Sequence, residues 1–90
     1  MLKIKQGYAL RKIATTYLIV GIGAAAYQPY TIMSLNETGV LLWHKLENGA
    51  DRETLISALL DEYEVSSEQA AQDVDRFLNQ LNEKELTEAC

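Results

Sequence analysis

One cysteine, one histidine, one proline and one phenylalanine occur in 90 residues, and each scarcity closes off a class of chemistry. Cys90 alone builds no internal disulfide and no metal cluster, and it reads as an incidental thiol, so stability must come from a packed core. His44 has no HxxxH or HExxH partner and no cysteine neighbour, whereas a metal site takes three or four ligands at defined spacing. No serine or cysteine stands in a nucleophile-elbow context for that histidine to activate. The expectation is a chain with no catalytic residues, no metal and no cofactor. Long hydrophobic runs are missing too. The longest mainly apolar stretch, Tyr17 to Tyr27, falls short of the roughly 20 residues that cross a bilayer. Lys3 and Lys5 lead into Gln6, Arg11 and Lys12 rather than an apolar block, so no signal peptide is read and cytoplasmic residence is expected.

What is present suits one folded domain over residues 1–90: 48% hydrophobic and 23% charged residues, with no low-complexity tract and no internal repeat. Charge is divided along the chain. Residues 1–45 hold five Lys or Arg against one acid, and residues 46–90 hold three against twelve. Such asymmetry either steers a charged partner or is absorbed where the halves face each other.

Periodicity changes once. Alternation over Tyr8 to Thr15 and the β-prone run Thr15 to Val20 predict two short strands. Gly21 and Gly23 interrupt them, and Pro29 precedes a third strand, Tyr30 to Leu35, that begins at or beyond the proline and suits a sheet edge. From Asn36, a good N-cap, the spacing becomes helical: Val40, Leu41, Leu42, Trp43 and Leu46 predict a helix over 37–48 that Asn48-Gly49 ends. Trp43 is expected in the core. Asp51 caps a second helix to about 63, and Ser66 with Gln69 forms a capping-box pattern for a third over 67–83. Strands followed by helices give an α+β fold, with a three-stranded antiparallel sheet covered on one face by three helices.

Three apparent motifs fail their context. Gly21-Ile22-Gly23-Ala24-Ala25-Ala26 matches a dinucleotide fingerprint, but Gln28-Pro29 stops the helix that a phosphate would need. The carboxylates of Asp61, Glu62 and Glu64, and of Glu83, Glu85 and Glu88, read as solvated helix ends. A winged-helix topology invites comparison with DNA-binding proteins, yet the third helix carries Arg76 and Lys84 among Glu68, Asp73, Asp75 and Glu83, and phosphate contact favours the opposite sign.

The string Leu35-Asn36-Glu37-Thr38-Gly39-x-x-x-Trp43 with Leu46 and Gly49, then Tyr63-x-Val65 and Asp73-Val74-x-x-Phe77-Leu78-x-x-Leu81, preceded by Gly7-Tyr8-x-Leu10-Arg11-x-Ile13, closely resembles the PqqD family of pyrroloquinoline quinone biosynthesis and its relatives. The match spans about residues 7–86. It departs from the family at Ala14-Thr15-Thr16, where many relatives carry a glycine, and over Gly23 to Tyr30.

The resemblance implies a winged-helix-like RiPP recognition element. Such a module binds the leader of a ribosomally made precursor peptide, without catalysis, and presents it to a modifying enzyme, often a radical SAM protein. The leader adds as a strand to the third sheet strand and lies against the third helix, a β-augmentation. Here that strand edge is Tyr30, Thr31, Ile32, Met33 and Ser34. On the third helix, Ala70, Val74, Leu78 and Leu81 are expected to face the core, which leaves Asp73, Arg76, Phe77 and Gln80 at i, i+3, i+4 and i+7 for the groove. The spacing leaves a second arrangement open, in which Phe77 joins the core and the three polar residues are solvated. Two other functions compete: a structural adaptor for a maturation enzyme, and a winged-helix DNA-binding regulator. An open strand edge also permits a homodimer.

Overall fold

A computed structural model describes residues 1–21 and 30–89. In chain order they form β1 (Leu2–Ile4), β2 (Tyr8–Ile13), β3 (Thr16–Gly21), β4 (Tyr30–Leu35), α1 (Glu37–Glu47), α2 (Arg52–Glu62), α3 (Ser67–Glu83) and β5 (Thr87–Ala89). The expected α+β order of three antiparallel strands and three helices is present, with strands ordered β2-β3-β4. β4 is an edge strand as expected, and among the described residues no strand pairs with its outer side.

A second, two-stranded sheet was not expected. β1 pairs antiparallel with β5, Leu2 opposite Ala89 and Ile4 opposite Thr87. Leu2 also exchanges backbone hydrogen bonds of 2.8 Å with Ala50, just past α1. The acidic tail is therefore partly a strand rather than only a solvated end.

Local chemistry sets the helix ends. Asn36, Asp51 and Ser66 each sit in extended backbone and accept a hydrogen bond from the N–H three residues on, at Gly39, Thr54 and Gln69. The third cap is half of the expected box. The Gln69 side chain donates forward to Asp73 at 2.9 Å instead of returning to Ser66. α1 ends at Gly49, whose φ of 87° suits glycine. α3 ends in a Schellman arrangement: the Leu86 N–H donates to the Leu81 carbonyl and the Glu85 N–H to that of Asn82, both at 3.0 Å.

The core lies between the sheet and the helices. Trp43, Leu42 and Leu46 of α1 meet Leu55 and Leu59 of α2, Ala70, Val74, Phe77 and Leu81 of α3, Ile19 of β3, and Ile4 and Leu86 from the chain ends. Trp43 is fully buried, as its neighbours in sequence predicted. Its indole N–H has no hydrogen-bond partner among the described residues. On α3 the expected core stripe shifts by one position, because Phe77 is buried while Leu78 is half-buried at its margin.

Candidate functional site

α1 begins one residue after β4 ends, and this junction brings the helix N-terminus against the middle of α3. Gly39 is buried there, and its size matters. A Cβ at this position would lie 3.2 Å from the capping oxygen of Asn36 and 3.3 Å from Leu35. Asn36 holds the corner closed: its Oδ1 accepts from the Gly39 N–H and from the Thr38 hydroxyl, both at 2.9 Å.

A pocket of about 190 Å³ opens at this corner. Its α1 side is Asn36, Thr38, Gly39 and Leu42, and its α3 side is Asp73, Arg76, Phe77 and Gln80. The four α3 residues singled out by spacing thus share one pocket. Phe77 does two things at once: it is 6% exposed and belongs to the core, and with Leu42 it supplies the apolar part of the pocket lining. The rim is polar. Arg76 is well exposed and stands 3.7 Å from Asp73, which also accepts from Gln69. The arrangement offers room for one side chain, with Leu42 and Phe77 as its apolar lining and donors and acceptors of both charges around it.

The strand residues Thr31, Ile32, Met33 and Ser34 do not line this pocket. They run up to it, since β4 leads into Asn36. Thr31 and Ser34 are exposed, and Ile32 and Met33 are half-buried against the core. Sequence reasoning missed the α1 wall. In the sequence Asn36 reads as a cap and Gly39 as part of a motif, and nothing local tells which helix faces α3.

Other groups take up quieter positions. A second cavity, of about 350 Å³ on the opposite flank of α1, is lined by Tyr17, Glu37, Val40, Leu41, His44 and Tyr63 and contains none of the residues predicted for the site. His44 is exposed, with Nδ1 at 2.8 Å from Glu47. Arg52 donates to both carboxylate oxygens of Asp75, at 2.7 and 3.0 Å, and that hydrogen-bonded cation holds the Asp75 carboxyl below its ordinary value while raising Arg52. The Asp51 carboxyl is lowered by the hydrogen bonds it accepts from Thr54. Among the described residues no three His, Cys, Asp or Glu side chains gather as a metal site, and no helix is long and apolar enough to cross a membrane. The first glycine of the dinucleotide-like string, Gly21, ends β3; the rest of that string and the Gln28-Pro29 stop lie outside the described residues.

A family model described as coenzyme PQQ synthesis protein D (PqqD) matches residues 24–86. No curated protein sequence matches the chain. Two solved structures are similar over almost their whole length. One is TbiB1 in complex with the TbiA(beta) leader peptide, 26% identical with a TM-score of 0.74, covering 98% of this chain and 96% of that one. The other is lasso peptide synthetase B1 complexed with the leader peptide, 17% identical with a TM-score of 0.72, covering 98% of each chain; at that identity it speaks for the fold.

Proposed function

Because this chain belongs to the PqqD family, we propose that it is a single non-catalytic module, over residues 1–90, that binds the leader segment of a ribosomally made precursor peptide and presents the rest to a modifying enzyme. The observation that carries this reading is an open strand edge running directly into a side-chain-sized pocket. An added strand draws affinity from backbone hydrogen bonds, and a pocket beside it draws specificity from a side chain. The leader-bound state of the similar TbiB1 structure supports the same use of this fold.

In this reading the strand edge formed by Tyr30, Thr31, Ile32, Met33 and Ser34 receives the leader, and Asp73, Arg76, Phe77 and Gln80 hold one of its side chains against α1. The partner enzyme is of the radical SAM type, and both act in the cytoplasm, where precursor peptides are made. The test is an NMR titration of the labelled protein with leader segments from any short reading frames encoded beside it. Amides of residues 30–35 and 69–81 should shift. Shifts confined to other elements, or none with any such peptide, would remove the reading.

A further inference from the structure

β4 is not a regular strand. Leu35 pairs with Tyr17, Ser34 with Leu18 and Met33 with Ile19, but the next pair is Thr31 with Val20, so Ile32 is an extra residue. A β-bulge of this kind sets two residues of one strand against one of its neighbour and displaces the alternation beyond it. The side chains record the displacement. Ile32 and Met33, adjacent in sequence, both pack against the core, whereas Thr31 and Ser34 are both exposed.

Which backbone groups of β4 face its open edge follows from the neighbouring hairpin. Its two-residue turn, Ala14-Thr15, closes on the pair Ile13 and Thr16, and such a turn closes on a hydrogen-bonded pair. Alternation along β3 then points the N–H and C=O groups of Leu18 and Val20 toward β2, and those of Tyr17, Ile19 and Gly21 toward β4. The partners of the latter three, Leu35, Met33 and Tyr30, therefore point inward to β3. Ser34 and Thr31, opposite Leu18 and Val20, point outward. In a regular strand the outward residues would be two apart. Here they are three apart, and Ile32-Met33 fills a single step between them.

We infer that the bulge sets the register of the leader: the added strand pairs its backbone with Ser34 and Thr31 alone, and its residue between those two positions packs on Ile32 and Met33 together. Directly opposed residues of paired strands share a face. The middle leader residue thus lies on the apolar inner face and must itself be apolar, while its two neighbours meet Ser34 and Thr31 on the outer face and tolerate polar side chains. This inference rests on the leader-binding reading above and adds to it the register and the chemistry of one leader position.

Proline tests it, because an edge strand tolerates proline where the lost N–H faces solvent. Thr31→Pro and Ser34→Pro should fold and melt near the parent protein, yet each should bind the neighbouring-frame leader peptide about fivefold more weakly or worse, one backbone hydrogen bond being lost. Thr31→Ala and Ser34→Ala, which keep the backbone N–H, should each bind the leader more tightly than the proline variant at the same position. A leader that binds both proline variants undiminished overturns the register. Amide exchange of the free protein gives a readout that needs no peptide and no variant: Thr31 and Ser34 should exchange fast, Met33 and Leu35 slowly. Protected amides at 31 and 34 overturn the inference even if the leader binds, whereas fast exchange there with no binding by any leader removes the leader-binding reading instead.

Discussion

Ala14 and Glu85 hold φ angles of 57° and 56°, a region that costs an L-residue about 1–2 kcal/mol and glycine almost nothing. Ala14 opens the β2–β3 turn, where the family resemblance already marked a missing glycine, and Glu85 sits where a Schellman cap usually carries one. Ala14→Gly and Glu85→Gly are each expected to stabilise the fold by about 0.5–1 kcal/mol after the greater freedom of glycine in the unfolded chain is counted. Thermal melting of the two variants and their double mutant checks this, with additive gains expected because the sites lie in different elements. A second residue-scale prediction concerns the pocket. Arg76→Glu and Gln80→Lys alter exposed rim positions and should leave the melting temperature almost unchanged, while lowering leader affinity about tenfold, the scale of one charge-assisted contact. Phe77→Ala is a poorer probe because the same ring closes the core. The i, i+3, i+4, i+7 spacing of Asp73, Arg76, Phe77 and Gln80 made their common face legible in the sequence. Their facing wall, Asn36 to Leu42, was not legible, since no local pattern encodes which helices meet.

Among elements, the helices were the easiest to read, because Asn36, Asp51 and Ser66 announce their starts through a single side-chain oxygen each. Features that depend on a partner were hidden. The bulge at Ile32 exists only relative to β3, and β1 and β5 are three residues each with their mates at the other end of the chain. The Arg52–Asp75 fork is likewise a meeting of α2 with α3 that sequence does not disclose. Its pH dependence follows from the lowered Asp75 carboxyl. A carboxyl that ionises more readily in the folded state contributes stability above its unfolded value, near 3.8 here, and loses that contribution as acidity carries it through the lower folded value. Asp75→Asn should therefore be less stable than the parent near neutral pH, and the two denaturation curves should converge below about pH 4. Salt should narrow the gap at neutral pH, because both groups are half-exposed and screened.

At the scale of the molecule, no Lys or Arg of the first half forms an ion pair with an acid of the second among the described residues. The long-range ion pair, Arg52 with Asp75, lies within the acidic half, and the cations of β2 remain exposed. The molecule thus presents a basic β2 margin and acid-rich helices to its surroundings. What closes the fold is the contact between its ends: Leu86 is fully buried, and its carbonyl accepts from the Lys5 N–H at 2.9 Å. Removing residues 87–90 should expose the Lys3 amide, opposite Glu88, to rapid exchange and lower the melting temperature, while Leu2, held by Ala50, and the β2-β3-β4 ladder keep their protection. Amide exchange measured residue by residue separates that local loss from global unfolding.

The same clasp has a topological consequence. Leu2 and Ala89 face each other at the far end of α1 from Asn36, a separation of about 16 Å along an 11-residue helix. Neighbouring ends placed away from a working surface are what insertion into a host protein requires. The module can be spliced into a loop of a larger enzyme, or its ends joined and the chain reopened elsewhere, with the peptide path left clear. A circular permutant joined through a short glycine-serine bridge and reopened between Glu62 and Ser66 should fold and bind the same leader as the parent.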